Sequence, residues 1–260
     1  MKLYISVDME GISGISGSEF VLPDGRLYAE GRRYYTQDIN ACAQGCFAAG
    51  ASAVIVRDSH GGGNHALWDQ LDPRLEIVQG HTPSPFPGLE EADALILLGY
   101  HALAGTAEAL LEHTFSSATI QNLWLNGRPV GEIGIHAAIA AELGVPVILV
   151  SGDDKTCAEA EDWIPGVVTC QVKQGLGTQG ARMLSAEVAH RLIAEKTQEA
   201  VGRLGEIKPL TVPHPVTLRM EMKERVGIPR EGTRPDLRVV DGRTVEATGE
   251  SVSEVFPRLR

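Results

Sequence analysis

The feature that most constrains this chain is a series of continuous apolar runs with helical segments between them. Residues 53–56 read AVIV, residues 94–98 read ALILL and residues 144–150 read GVPVILV. Strands buried on both faces have such runs, whereas strands with one solvated face alternate apolar and polar residues. Helical patterns separate the runs, at residues 28–46 and in "EIGIHAAIAAEL". We therefore predict an α/β fold in which helices cover both faces of a mainly parallel sheet.

A change of pattern near residues 208–215 predicts a smaller second portion. Prolines are frequent in this stretch and interrupt any regular element. Beyond it, "HPVTLRMEM" and "RTVEAT" alternate as half-exposed strands do, and Ser251 with Glu254 fits a capping box before a short last helix. We predict an α/β domain over residues 1–208 and a smaller α+β portion over residues 209–260.

The composition of the chain limits the kinds of molecule that it is expected to bind. The chain has 260 residues, is 43% hydrophobic and carries a formal net charge of -11. This charge, without a compensating cluster of lysines and arginines, argues against nucleic acid and against an anionic membrane surface. We expect a short peptide or another small molecule as the partner. The first apolar run ends at Asp8 and is too short for the apolar region of a signal peptide, so we expect a cytoplasmic protein.

The four cysteines show no C-x-x-C spacing. We therefore predict neither a zinc ribbon nor a redox pair, and expect buried, unpaired thiols. These residues are Cys42, Cys46, Cys157 and Cys170.

Charged and imidazole side chains follow the predicted strands at the points where those strands end. Asp8 and Glu10 follow "LYISV", His60 follows "AVIVRDS" and His101 follows "ALILLGY". Because the carboxyl ends of parallel strands share one edge of a sheet, these groups are expected to meet in a single crevice. Glu132 begins the helical segment "EIGIHAAIAAEL", where its carboxylate can face the same crevice.

Carboxylates and imidazoles together form a ligand set that suits zinc, and also manganese, cobalt or iron. These groups outnumber the three protein ligands usual at a single catalytic zinc, so we predict two ions that share a carboxylate. Such a pair favours hydroxide over water near neutral pH and needs no serine or cysteine nucleophile. The alternative is structural: each residue taken alone fits a loop cap, a loop or core histidine, or an acid at a helix start.

Three further features are candidates for the same crevice. His113, in "LLEHTFSS", is either a general acid or base at the rim or a surface histidine. Lys173 either orients a carboxylate or carbonyl of the substrate or is an exposed lysine. "GLGTQG", residues 175–180, matches the dinucleotide pattern, but the acid expected about twenty residues later is missing. We therefore expect a loop whose backbone approaches the crevice, and no nucleotide site.

Taken in order, "SVDMEGISG", "DSH", "LLGYHA", "HTFSS", "NGRPVGEIG" and "VSGDD" resemble the M55 metallopeptidases, the D-aminopeptidase family. The resemblance extends from Met1 to about Leu210. It implies a catalytic role for His113 and a self-compartmentalising decamer, made of two pentameric rings around a chamber. It also implies a pair of zinc ions per subunit, with Asp8 as the bridging ligand. The implied zinc ligands are Asp8, Glu10, His60, His101 and Glu132.

The function that we predict is therefore zinc-dependent removal of the N-terminal residue from short peptides, with D-amino-acid peptides such as D-Ala-D-Ala as the expected substrates. In this hypothesis the bridged hydroxide attacks the peptide carbonyl, and His113 stabilises the oxyanion or protonates the leaving amine. Two alternatives stay open: a dinuclear metal-dependent phosphoesterase, and a non-catalytic protein that binds a small molecule. Residue spacing does not distinguish a pocket for a D-residue from one for an L-residue.

Overall fold

The computed structural model describes residues 1–225, 227–230 and 232–259. Its strands are β1 (Lys2–Val7), β2 (Ala53–Asp58), β3 (Glu76–Val78), β4 (Ala94–Leu98), β5 (Ile120–Leu125), β6 (Arg128–Pro129), β7 (Val147–Gly152), β8 (Val168–Gln171), β9 (Lys173–Gly177), β10 (Gly180–Met183), β11 (Val216–Met222), β12 (Arg238–Val239) and β13 (Thr244–Gly249). Its α-helices are α1 (Tyr28–Ala48), α2 (Glu132–Glu142), α3 (Asp154–Trp163), α4 (Ala186–Gly202) and α5 (Val252–Val255).

A parallel sheet of six strands, in the order β3-β2-β1-β4-β7-β8, forms the centre of the protein. Every neighbouring pair in it is parallel, which confirms the predicted fold class. The apolar runs explain this arrangement, because all residues of β4 and of β7 are buried. Successive residues of β1 point to opposite faces: Leu3 and Ile5 pack in the core formed with α1 and α4, and Tyr4 packs in the core formed with α2.

A second, antiparallel sheet covers part of the α2 side, in the order β12-β13-β11-β5-β6. It joins β5 and β6, from the middle of the chain, to the strands near the carboxyl terminus, since Leu218 of β11 pairs with Leu125 of β5. The alternating segments predicted as strands are β11 and β13. The Ser251 hydroxyl accepts a hydrogen bond from the amide of Glu254, as the capping pattern predicts. The division of the chain at residue 208 stays a prediction.

The glycine-rich segment at residues 175–180 lies in a hairpin, where β9 and β10 pair antiparallel. A dinucleotide fingerprint needs a strand, a glycine turn and then a helix, so this hairpin has the wrong local structure for one. All four cysteines are buried and free, which confirms the expectation from their spacing. Within the described residues, none of the helices has both the length and the apolar character that crossing a bilayer demands.

Candidate metal centre

Parallel pairing brings the ends of β1, β2 and β4 to the same level. Val7, the last residue of β1, pairs with Asp58 on one side and with Leu98 on the other. Just beyond, the amide of Asp8 donates to the carbonyl of Leu98 at 2.9 Å, and the amide of Ser59 donates to Val7 at 2.9 Å. The residues that follow these strands therefore meet at the carboxyl edge of the sheet, as the sequence predicts.

Two glycines allow the segments after β1 and β4 to touch through their backbones. A Cβ atom on Gly11 would lie 1.9 Å from the carbonyl oxygen of Tyr100, and one on Gly99 would lie 2.4 Å from that of Asp8. Gly99 also has a φ of 71°, in the left-handed region that glycine adopts without steric cost. This contact places the two acids after β1 beside the histidine after β4.

The first ligand group consists of Asp8, Glu10 and His60, whose donor atoms all lie within 4.8 Å of one another. Nδ1 of His60 is 3.1 Å from Oδ1 of Asp8 and 3.1 Å from Oε2 of Glu10. Both acids are almost completely buried, with exposed fractions of 6% for Asp8 and 5% for Glu10. These three residues come from the ends of β1 and β2.

The second ligand group consists of His101, His113 and Glu132, again within 4.8 Å of one another. Oε1 of Glu132 lies 3.3 Å from Nε2 of His101 and 3.7 Å from Nε2 of His113. The two imidazoles stack, with ring centres 3.9 Å apart and planes inclined by 13°. Glu132 is the first residue of α2, and its Oε1 also accepts a hydrogen bond from the amide of Phe115 at 2.7 Å.

Asp8 links the two ligand groups. Its Oδ1 faces His60 at 3.1 Å, and its Oδ2 faces Nε2 of His101 at 3.2 Å. The structure therefore brings together all five residues predicted as ligands, and it adds His113 to the same cluster. A carboxylate whose two oxygens face different ligand groups has the arrangement that a shared ligand needs.

Each imidazole of the cluster donates a hydrogen bond from its outer nitrogen to a backbone carbonyl. These bonds run from Nε2 of His60 to Val21 at 3.2 Å, from Nδ1 of His101 to Ala102 at 3.1 Å and from Nδ1 of His113 to Leu111 at 2.9 Å. A carbonyl only accepts, so the outer nitrogen carries the hydrogen and the inner nitrogen faces the carboxylates. Histidines that ligate metals are held in this way.

Two buried atoms of the cluster are left without a hydrogen bond. Nε2 of His101 and Oε2 of Glu10 lie close to charged neighbours, yet neither has a hydrogen-bond partner among the described residues. Buried polar atoms are normally paired, and a cation would satisfy both. The donor set, the buried carboxylates and these two atoms fit divalent metal ions of the zinc type.

Opposite charges within the cluster shift its pKa values. Burial alone would raise the pKa of Asp8, but the neighbouring imidazoles of His101 and His60 hold it well below the ordinary value. Burial alone would lower the pKa of His60, but Glu10 and Asp8 raise it well above the ordinary value. Glu132 and Asp8 overcome burial in the same way and raise the pKa of His101. Before metal binds, protonated imidazoles therefore offset the charge of the carboxylates.

Asp58, to which the sequence analysis assigned no role, holds the loop that carries His60. Its carboxylate accepts hydrogen bonds from the amide of His65 at 2.6 Å, from the amide of Ala66 at 2.9 Å and from the hydroxyl of Tyr35 at 2.9 Å. The sequence could have indicated this role, because an aspartate at the end of a buried strand needs hydrogen-bond donors for its carboxylate.

Glu159 in α3 is a second supporting carboxylate that the sequence analysis missed. It accepts a hydrogen bond from the amide of Leu103 at 2.7 Å, two residues beyond His101. Burial raises the pKa of Glu159 to about 7. Nothing in the sequence marks this residue, since a glutamate in the middle of a helix is ordinarily exposed.

Lys173 has a different environment from the one predicted. Its side chain is buried, burial lowers its pKa to about 7, and its ammonium donates to three backbone carbonyls within residues 10–15. An ammonium has three donors, so none is left for a substrate. The structure therefore favours an anchoring role for Lys173 over the predicted contact with the substrate.

Comparisons with sequence families and solved structures found relatives of this chain. The family model for Peptidase M55, described as D-aminopeptidase, matches residues 1–260. A D-aminopeptidase of Bacillus subtilis (strain 168) is 39% identical over 225 residues, which are 85% of this chain and 81% of that protein. The solved structure of the Zn-dependent D-aminopeptidase DppA from Bacillus subtilis, described as a self-compartmentalizing protease, superposes with a TM-score of 0.92 at 34% identity, covering 100% of this chain and 95% of that one.

Zinc binding to the metal-free protein is expected to release protons. The pKa values of His60 and His101 are raised, so both rings are protonated near pH 7, and each must lose a proton before it can ligate a metal. Apparent zinc affinity should therefore increase with pH as long as the pH lies below these raised pKa values. Titration calorimetry in two buffers of different ionisation enthalpy should give about two protons per chain, and about one in His60→Gln. A count of zero in the wild-type protein would contradict the assignment.

Proposed function

Because this chain belongs to the M55 family of D-aminopeptidases and is a zinc-dependent metallo-aminopeptidase, we propose that it removes the N-terminal residue from short D-amino-acid peptides such as D-Ala-D-Ala. The observation that carries the proposal is the cluster of carboxylates and imidazoles at the carboxyl edge of the sheet, in which the two oxygens of Asp8 face His60 and His101.

The proposed cofactor is a pair of zinc ions in each subunit. Asp8, Glu10 and His60 would hold one ion, and Asp8, His101 and Glu132 the other. Bound zinc lowers the pKa of water and polarises a carbonyl oxygen, which is the chemistry that peptide hydrolysis needs. The inner nitrogen of each ligating histidine already faces the carboxylates, because its outer nitrogen is bonded to the backbone.

His113 is proposed as the proton donor and acceptor of the reaction. Its side chain is 17% exposed, against 1% for that of His101, so it is the imidazole of the second group that a substrate can reach. The hydrogen bond from Nδ1 to Leu111 and the stacking on His101 fix the ring. Nε2 of His113 is therefore free to hold a proton for the leaving amine or to stabilise the oxyanion.

We further propose a closed homo-oligomer for this protein. The structurally similar DppA is described as a self-compartmentalizing protease, and the fold matches over the whole chain. A decamer of two pentameric rings and a cytoplasmic location stay predictions. Size-exclusion chromatography coupled to light scattering would measure the assembly directly.

The activity is tested with D-Ala-D-Ala and L-Ala-L-Ala. The zinc-reconstituted protein should release free alanine from the D-dipeptide faster than from the L-dipeptide, and a chelator should abolish release. Amino acid analysis of timed samples measures both rates. Turnover of an aryl phosphate with neither dipeptide cleaved would contradict the peptidase proposal and indicate a phosphoesterase.

Substitution of His113 separates catalysis from metal binding. His113→Ala should lower kcat about 100- to 10,000-fold, the usual contribution of a general acid or base, and should leave the zinc content unchanged. Steady-state kinetics and elemental analysis of the same sample measure the two effects. His81→Ala is the matched control, because His81 is exposed. Loss of zinc in the His113 variant would make this residue a ligand instead.

Substitution of Asp8 tests its shared position between the ligand groups. Asp8→Ala should lose zinc from both groups together with activity, because each oxygen of Asp8 faces a different group. Zinc content and dipeptide cleavage are measured on one preparation. Asp24→Ala, at an exposed position, is the control. An active variant that keeps its full zinc content would remove Asp8 from the site.

A further inference from the structure

Lys173 is a buried lysine whose ammonium contacts residues 10–15, the segment after β1 that begins with Glu10. Its exposed fraction is 2%, and Nζ donates to the carbonyl of Glu10 at 2.8 Å, to that of Ile12 at 2.7 Å and to that of Ile15 at 2.8 Å. These direct partners are all backbone oxygens. The ammonium therefore satisfies three carbonyls of a short irregular segment that has no strand or helix to do so.

Burial of the Lys173 ammonium costs free energy. Transfer of an ammonium out of water is strongly unfavourable unless its hydrogen bonds are replaced, and a methionine would fill the same space without that cost. The negative charges of Asp38, Asp153 and Glu10 oppose the effect of burial. Among the described residues, all hydrogen-bond acceptors of the Lys173 ammonium lie in residues 10–15, so we assign its role to that segment.

The segment that Lys173 holds packs directly against the metal centre. The amide of Gly11 donates to the carbonyl of Gly99 at 2.8 Å, two residues before His101. On the other side, the amide and the hydroxyl of Ser13 donate to Asp38 at 2.7 Å and 2.5 Å. With Lys173 added, residues 10–15 are bonded on several sides, and the first residue of this segment is Glu10.

We propose that Lys173 is a positioning residue for the first ligand group: its ammonium holds residues 10–15 in place before metal binds, so that the Glu10 carboxylate stands ready beside Asp8 and His60. This inference rests on the proposed function, because it takes Glu10 as a zinc ligand. Lys173 acts through the backbone and contacts neither substrate nor metal.

The test is zinc affinity in Lys173→Met, which shortens the unbranched side chain by one atom and removes all three hydrogen bonds. Affinity at one of the two zinc sites should fall about 10- to 100-fold, as it does when support of a metal ligand is lost, and the other site should keep its affinity. Competition with a chromophoric chelator measures both constants. A folded variant with both affinities unchanged would overturn the proposal.

Lys155→Met is the matched control. Nζ of Lys155 donates to the carbonyl of Gly175 at 2.9 Å, so it contacts the same β9–β10 hairpin from α3 and not residues 10–15. The same substitution there should leave both zinc affinities unchanged. An equal loss in the two variants would show that general loosening of the hairpin, and not the bonds of Lys173, sets the affinity, and would overturn the proposal.

A measurement on the wild-type protein covers the case in which Lys173→Met does not fold. If Lys173 organises the segment, the amides of Gly11, Ser13 and Ile15 should resist hydrogen exchange in zinc-free protein about as well as with zinc bound. Rapid exchange that slows only on zinc addition would show that the metal organises the segment, and would overturn the inference. Wild-type protein that binds zinc but cleaves neither dipeptide would overturn only the proposed function, since these measurements report metal affinity and local order.

Discussion

The concentration of negative charge at the carboxyl edge of the parallel sheet is the constraint on which the rest of the structure depends. Asp8, Glu10 and Glu132 are held close together and largely out of water, where carboxylates repel one another and lose hydration. Such a group is stable only beside positive charge. Protonated imidazoles supply it in the metal-free protein, and divalent cations would supply it in the active one.

Around this cluster, the protein uses buried polar groups to fix loops that have no regular structure. Asp58 gathers the amides of the loop that carries His60, and Glu159 holds the turn after His101. Backbone carbonyls hold the outer nitrogens of the imidazoles, and Lys173 holds the carbonyls after Glu10. In this arrangement the proposed zinc ligands would need little rearrangement to accept a metal.

Much of the fold and most of the site could be predicted from local sequence. Continuous apolar runs indicated the parallel sheet, and parallel strands by their nature end at one edge, so the acids and histidines after β1, β2 and β4 had to lie near one another. The position of His113 was harder to predict, because its distance from His101 in the sequence fits neither helical nor strand spacing. Its place depends on the loop that holds it, in which the amide of Leu111 bonds to the carbonyl of Thr178 in the distant β9–β10 hairpin.

By itself, the sequence determined the fold class, the edge of the sheet where carboxylates and imidazoles collect, and the kinds of side chain found there, because each follows from a local pattern of residue types. Only the tertiary structure decided that the two oxygens of Asp8 face different ligand groups, and that Lys173 is buried under the segment that carries Glu10. Both facts depend on contacts between residues far apart in the chain. From sequence alone, a lysine is predicted to be exposed. The free-energy cost of burying its ammonium is offset only by hydrogen-bond acceptors that folding brings together from distant parts of the chain.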